Sequence, residues 1–294
     1  MILLTAITPL GSCLAIKTPS GIIVPEREIH LPLTLEQALH SPGGLDRIRD
    51  FSRRNPLDSA QWLAHSVPDG QYRIGLPFKP RNLICIGLNY KDYTVREEVQ
   101  ILKEPVIFAK LTGSVIGPGE PIELPPDTKE VGYEAELAVV IGRECRNVSA
   151  SAALDYVAGY TCLNDIGARD LLRSDGQLVW AKSQNSFAPM GPYLVTSDDI
   201  EDPEALWIRS WVNGELLQDS NTNQMIFGVR KLIAYLSRGV TLEPGDVIST
   251  GTPPKIGSAR DRQVFLHPND EVIVEIERAG RLSNPVHAIE TICP

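Results

Sequence analysis

Histidine is scarce in this chain: five residues in 294, His30, His40, His65, His267 and His287, with none between positions 66 and 266. A metal or acid–base site inside that stretch must therefore be built from other side chains. Cysteine is also sparse. Cys13, Cys85, Cys145, Cys162 and Cys293 are odd in number and widely spread, with no C-x-x-C pair, which argues against a disulfide framework and for buried thiols in a reducing compartment. No basic block exists: 28 Lys plus Arg stand against 37 Asp plus Glu, a net charge of −9. Nucleic acid is excluded as a partner, because its binding needs clustered cations to displace counterions. No apolar run approaches the roughly 20 residues of a membrane span, so no membrane partner is expected either. The apolar start, Met1 to Leu4, leads to Leu10-Gly11-Ser12-Cys13, which loosely imitates a lipoprotein cleavage site. No cation precedes Lys17, and Pro9 and Gly11 interrupt the run, so the expected location is cytoplasmic.

What is plentiful is glycine and proline, 23 of each, which suits strands and turns more than long helices. Residues 1–76 read as a small α/β N-terminal domain. Ile22-Ile23-Val24 is strand-like, while Thr34 to His40 and Leu45 to Arg53 have helical spacing, with Asn55-Pro56 as a stop. Ile74 to Pro80, with two prolines, reads as a linker. From residue 77 to 294 the texture is β-rich. Asn82 to Gly87, Val106 to Ala109 and Leu137 to Gly142 are continuous apolar runs of the kind buried strands show. Trp207 to Val212 turns at Asn213-Gly214, a hairpin signal, and Val247 to Ser249 and Glu271 to Glu277 complete the strands. Helical periodicity is expected at Ala152 to Val157 and at Met225 to Ser237, the latter ended by Gly239. This order does not suit a doubly wound parallel sheet. The expected class is α+β, with a mixed, barrel-like or β-roll catalytic domain.

The sharpest chemical feature is Tyr133-Glu134-Ala135-Glu136-Leu137. Residues i and i+2 of a strand share a face, so Glu134 and Glu136 project side by side at the mouth of a fully apolar run. Two like charges on a buried face require a cation or protons to neutralise them. The competing reading is a strand end with both glutamates hydrated. Asp165, in Asn164-Asp165-Ile166-Gly167-Ala168-Arg169-Asp170, follows another apolar stretch and is expected at a helix start, with Arg169 on its face of the helix. Taken singly, Asp165 reads equally as a helix cap. Three oxygen ligands without histidine or thiolate select a hard cation, Mg²⁺ first, with Mn²⁺ or Ca²⁺ as substitutes. Further on, the turn Glu243 to Pro254 is expected to aim backbone N–H groups and a Thr hydroxyl at a small carboxylate. Lys182, in Trp180-Ala181-Lys182-Ser183, either snorkels over the surface or pairs with an anion.

Over about residues 80 to 290 the chain resembles the fumarylacetoacetate hydrolase family. The resemblance is carried by Gly87-Leu88-Asn89-Tyr90, Tyr133 to Leu137, Asp165 to Asp170, Ala181-Lys182-Ser183, Asn213-Gly214-Glu215, Met225-Ile226-Phe227, Gly245 to Pro253 and Asn284-Pro285-Val286. Each motif is weak alone; their order and spacing are specific. The resemblance implies a Mg²⁺ or Mn²⁺ site of Glu134, Glu136 and Asp165, a β-roll catalytic domain, a homodimer, and a small-molecule 2-oxo acid or 1,3-dicarbonyl substrate. It further implies that Arg169, Lys182 and Thr252 line the pocket. Tyr90 and Lys255 are added as substrate-binding candidates, and Tyr93, Glu97, Lys182 and Arg169 as catalytic ones.

Three departures accompany these matches. Hydrolytic members usually read N-Y-x-D-H-x-x-E, where His and Glu activate water. Here Tyr93 stands in the His position and Arg96 in that of Glu, leaving Glu97 or Glu98 to reach in. Leu172 stands where Gln is common, and Lys255 where Gly is usual. A phenol of ordinary pKa near 10 is a poor general base at neutral pH. Hydrolysis of a C–C bond, as in acylpyruvate cleavage, is the first reading. Decarboxylation or keto–enol and double-bond isomerisation, which need a stabilised enolate but no activated water, is the second. A catalytically silent binding protein is the third, disfavoured because unused buried acids are costly.

Overall fold

Why the run Ala135–Ile141 is apolar throughout is answered by its position: every one of its residues is buried, because both faces of the strand are covered. Leu137, Val139 and Ile141 enter one core; Ala138 and Val140 enter another. The computed structural model describes residues 1–9, 11–25, 31–57, 66–96, 100–256, 259 and 264–289. Among them, Ala135–Ile141 lies inside a large mixed sheet. Its strands run in the order Gly21–Ile23, Gly11–Thr18, Ile2–Thr8, Ala188–Thr196, Val157–Asn164, Ala135–Ile141, Val247–Ser249, Leu83–Gly87 and Val106–Lys110. Neighbours are antiparallel except Val247–Ser249 with Leu83–Gly87. A second sheet orders Glu215–Asn221, Trp207–Val212, Glu271–Ile276, Gly280–Ala288 and Ile122–Leu124.

Two helices, Leu35–His40 and Gly44–Arg54, bury Leu35, Ala38, Leu39, Leu45, Ile48 and Phe51 against the face that carries Ala138 and Val140. Thr34 caps the first, its hydroxyl accepting from the Gln37 N–H at 3.1 Å, and Asn55 ends the second. The opposite face is covered by the helix Val229–Gly239, through Val229, Leu232, Ile233 and Leu236, and by the second sheet through Ile208, Val274 and Ile276. The result is a layered α+β architecture with the main sheet in the middle. The strands of residues 1–76 belong to that sheet: Ile2 pairs with Val195 and Leu3 with Leu194, across the boundary at residue 76.

Two local readings differ from the structure, while the stretch read as a linker is irregular from Gly75 to Pro80, with only its first residue, Ile74, in a short strand, Arg73–Ile74, on Ile2–Thr8. Ala152 to Val157 is not a helix: a single 3₁₀ turn, Ala153–Tyr156, runs into the strand Val157–Asn164, whose two partner strands override the local period. The later helix begins at Val229 rather than Met225. The preceding Met225 forms a bridge with Tyr90, Ile226 and Phe227 form a bend tied to Asn89, and Gly228 is the N-cap. The Asn213-Gly214 turn is as expected, with φ of 51° and 81°, the pair of positive values a tight hairpin requires.

Candidate active site

Glu134 and Glu136 sit at the start of Ala135–Ile141 and share its face with Ala138, while Asp165 follows Val157–Asn164 on the neighbouring strand. The antiparallel register pairs Ala135 with Asn164 and continues through Asp165 N–H donating to the Glu134 carbonyl at 2.9 Å. Two ligands are thus adjacent in sequence space at i and i+2, and the third lies opposite by register. One oxygen from each lies within 4.8 Å of the others, with Glu136 and Asp165 buried and Glu134 half-buried. Asp165 is not at a helix start. After it, Gly167–Ala168 pairs with Val131–Gly132, and the helix begins only at Arg169. The helix-cap reading of Asp165 therefore falls.

Each carboxylate is held by further contacts. Lys182 Nζ donates to Glu134 Oε2 at 2.6 Å and to Asp165 Oδ2 at 3.0 Å, so this lysine pairs with anions rather than snorkelling. Its path is open because Gly167 has no side chain: a Cβ there would stand 2.9 Å from Lys182 Cδ and 3.3 Å from Nζ. Lys110 Nζ donates to Asp165 Oδ1 at 2.6 Å and to the Ile166 carbonyl at 2.8 Å. Glu136 Oε2 accepts from Ser249 Oγ at 2.5 Å and from the Gly251 N–H at 2.9 Å. The Gly/Thr/Pro turn thus does aim a backbone N–H at a carboxylate, but at one belonging to the chain. Thr250 Oγ1 donates to the Leu137 carbonyl, and Thr252 Oγ1 accepts from Gln218 Nε2 at 2.8 Å.

Charge follows from these contacts. Burial works against the Lys182 ammonium, but Asp165 and Glu134 outweigh it and raise its pKa. Burial also pushes Asp165 up, yet Lys110 and Lys182 more than compensate and hold its carboxyl below the usual range. Among the described residues no cation is in hydrogen-bonding contact with Glu136; burial, and then the charges of Asp165 and Glu134, raise it well above an ordinary glutamate. Three carboxylates face only two lysines, so the third negative charge needs a proton on Glu136 or a cation in its place, and the donor set is all oxygen. That set fits a hard divalent cation, for which Glu134, Glu136 and Asp165 would be the ligands.

The remaining candidates are distributed around this centre. Arg169 lies against Gly132, its Nε 3.4 Å from where a Cβ would stand. Lys255 Nζ donates to the Tyr133 carbonyl at 3.1 Å and sits 3.3 Å from the Tyr133 ring centroid. Tyr90 is buried, its hydroxyl without a hydrogen-bond partner among the described residues. Tyr93 is partly buried and packs against the core cluster that contains Tyr90 and Met225. Glu97, and Glu98 beside it, lie outside the described residues. Of the described histidines, His267 and His287 are exposed, and His40 packs beside Gly245.

Asn89 explains why several separated motifs belong together. Its side-chain amide donates to the carbonyls of Phe227 at 3.0 Å and Thr250 at 2.7 Å, and its Oδ1 accepts from the Phe227 N–H at 2.9 Å. One buried side chain thereby fixes the segment carrying Tyr90 and Tyr93, the Met225 to Phe227 strap and the Thr250-Gly251 turn. Two functional groups escaped sequence reasoning. Lys110 ends an ordinary-looking strand, and Gln218 lies in a hairpin, where its side chain joins the Ala135 N–H to Thr252 and Pro253. A lysine closing an apolar run was the only signal for the first; nothing local marked the second.

Fold and site together define a class: an α+β protein whose central sheet presents an all-carboxylate metal centre on adjacent strands. The chain belongs to the fumarylacetoacetate hydrolase family, whose C-terminal domain model matches residues 82–287. It is 48% identical over 236 residues to a mitochondrial oxaloacetate tautomerase of Xenopus laevis, covering 79% of this chain and 73% of that one. A 5-carboxymethyl-2-hydroxymuconate delta-isomerase from Mycobacterium smegmatis has the same fold, with a TM-score of 0.77, 32% identity and coverage of 98% and 100% of the two chains. So does a maleylpyruvate hydrolase from Sphingobium sp. SYK-6, solved with manganese(II) and pyruvate, at a TM-score of 0.79, 25% identity and coverage of 99% and 100%.

Proposed function

We propose that this chain is a divalent-metal-dependent enzyme that enolises a 2-oxo acid, shifting a proton between carbon and oxygen as in keto–enol tautomerisation. The observation that carries this reading is the carboxylate triad with Lys182 bridging two of its members and no described histidine beside it. Mg²⁺ is the cation proposed, with Mn²⁺ or Ca²⁺ as substitutes; bound there, it supplies the Lewis acidity that stabilises an enolate. The chain's own residues do the rest. Lys182 remains charged, so its ammonium complements negative charge growing on the substrate's 2-oxo oxygen. Arg169 binds an anionic group of the substrate, and Thr252, fixed by Gln218, lines the pocket. The unpartnered Tyr90 hydroxyl is a further donor available to a ligand.

This places isomerisation ahead of the hydrolysis that the sequence first suggests. The activities for which the tautomerase and the isomerase are named support that order. C–C bond hydrolysis is the second reading, supported by the likeness to the maleylpyruvate hydrolase. It requires a base that activates water, a role for which Tyr93 and Glu97 are the proposed candidates. Decarboxylation draws on the same stabilised enolate. A homodimer is proposed as well. Ile107, Leu111, Val179 and Trp180 are exposed beside the outer strand Val106–Lys110, an apolar face suited to a second copy. Among the described residues no helix is long and apolar enough to cross a membrane. The buried free thiols Cys13, Cys85, Cys145 and Cys162 support a reducing compartment, for which the cytoplasm is proposed.

The deciding experiment incubates the purified protein with Mg²⁺ and oxaloacetate, an acylpyruvate and a 2-hydroxymuconate-type acid. Tautomerisation is followed by absorbance, decarboxylation by CO₂ and cleavage by product analysis. Metal-dependent tautomerisation that is lost in Glu134→Ala is the expected result. Equal activity of Glu134→Ala on every substrate overturns the metal-site reading, and acylpyruvate cleavage as the dominant activity replaces isomerisation with hydrolysis.

A further inference from the structure

Four cations surround the site, and they are not equivalent. Lys110 and Lys182 are committed to the carboxylates of Asp165 and Glu134. Lys255 and Arg169 are not: among the described residues no carboxylate oxygen lies within 4.0 Å of either. Both flank the two residues that precede Glu134. Arg169 lies against Gly132, and Lys255 Nζ is on the carbonyl and the ring face of Tyr133. The Tyr133 hydroxyl is itself buried without a hydrogen-bond partner among the described residues, and the Arg169 charge acts on it.

A half-buried lysine held by a carbonyl and a ring face, with Arg169 and Lys182 as like charges that the more distant attraction of Glu134 offsets only in part, is an unfavourable arrangement for an isolated protein. Burial and then Arg169 push the Lys255 ammonium down to about 7. The loop is nevertheless pinned in this position. Gln218 Nε2 donates to Thr252 Oγ1 at 2.8 Å and to the Pro253 carbonyl at 2.7 Å, and Ile256 N–H donates to the Leu217 carbonyl at 2.8 Å. A cation held rigidly near another cation, neither in a contact ion pair among the described residues, is complementary to an anion from outside.

We propose that Lys255 and Arg169 form the subsite for the second carboxylate of a dicarboxylic 2-oxo acid, and that Lys255 is the residue that selects dicarboxylates over monocarboxylates. This rests on the function proposed above, in which the 2-oxo acid end is held at the carboxylate triad. The division of labour follows from the pairing: Lys182 serves the reacting end, where it is tied to Glu134 and Asp165, and Lys255 serves the far end, where it has no ion-pair partner among the described residues. Lys255 is a specificity residue in this scheme and takes no part in proton transfer.

The test measures binding rather than turnover, with two unreactive probes of equal chain length. Malate carries a second carboxylate; 2-hydroxybutyrate has a methyl group in its place. Both are titrated calorimetrically into the Mg²⁺-loaded protein. The wild type is expected to bind malate about 10- to 100-fold more tightly, the range of a charge-assisted contact in a partly desolvated site. Lys255→Met is expected to remove most of that preference by weakening malate, while the affinity for 2-hydroxybutyrate, which reports an intact site, stays within about 2-fold. Lys255→Arg is expected to restore the preference. Equal affinity of the wild type for both probes, or an undiminished malate preference in Lys255→Met, overturns the subsite and leaves the metal-dependent reading standing. Failure of the wild type to bind either probe overturns that reading and the subsite with it.

Discussion

Lys110 and Asp165 form an ion pair 2.6 Å long with side chains 0% and 1% exposed. Such a pair is supported by further hydrogen bonds: Lys110 also donates to the Ile166 carbonyl, and Asp165 Oδ2 accepts from Lys182. Lys110 therefore acts on Asp165 from beneath, fixing its carboxylate before any ligand arrives.

Removing one partner of a buried pair leaves the other uncompensated. Lys110→Met is expected to destabilise the protein by about 3–5 kcal/mol in urea unfolding without divalent metal. Saturating Mg²⁺ should recover part of the loss, because a cation at the triad supplies the missing counter-charge to Asp165. A variant as stable as wild type would show that the pair is not buried as described.

Metal binding should be linked to pH through Glu136. Its folded pKa is raised by burial and by Asp165 and Glu134, so the folded state holds a proton that the unfolded chain has released. The stability this contributes is full below the ordinary glutamate value and is lost as pH rises through the raised one. In EDTA the melting temperature should fall as pH rises above about 5 through this group. The increment produced by Mg²⁺, which takes the proton's place, should grow over the same range. An increment independent of pH would count against Glu136 as a ligand.

Lys255 gives the opposite slope. Its folded pKa, about 7, lies below that of a free lysine. Between those values the unfolded chain binds more protons, so stability rises with pH in that window. Lys255→Met should therefore melt at a higher temperature than wild type at pH 6, with the gain shrinking toward pH 10. A gain that is the same at both pH values would mean that charge is not its source.

Asn89→Ala removes three side-chain hydrogen bonds, one buried and two part-buried, and leaves the Phe227 N–H and the Phe227 and Thr250 carbonyls without that partner. At about 1–3 kcal/mol for each group left unpaired, a severe loss of stability is expected. A second probe of the same region is Gly251→Ala. Its Cβ would meet Asn89 Cβ at 2.7 Å and the Ile86 carbonyl at 3.0 Å, at a φ of +94°. That change should weaken Mg²⁺ binding by shifting the N–H that holds Glu136, and an unchanged Mg²⁺ affinity would remove Gly251 from the site.

The proposed dimer is tested by light scattering after size exclusion. Wild type should elute at twice the 32.3 kDa chain mass, and Trp180→Glu together with Ile107→Lys should convert it to monomer. A monomeric wild type would leave the exposed apolar face without this occupant.

Local order was legible in the sequence wherever the physics is local. Period-two spacing put Glu134 and Glu136 on one face, the apolar run from Leu137 marked a strand covered on both sides, and Asn213-Gly214 marked a hairpin. Val106 to Ala109, read as buried by the same rule, is instead an outer strand with Ile107 exposed. The helix expected at Ala152 to Val157 failed because the two strands flanking Val157–Asn164 outweigh a weak local period. Asp165 could be suspected but not placed, since its position opposite Glu134 is a matter of strand register. By itself, then, the sequence determined an acidic, histidine-poor chain with a pair of carboxylates poised on an interior strand. Tertiary structure decided what makes that pair a site. Lys110 reaches Asp165 across 55 residues, the Gly251 N–H reaches Glu136 across 115, and Asn89 reaches Phe227 across 138. No local pattern encodes such contacts, because the free energy that favours each one exists only after the sheet has closed around it and excluded water.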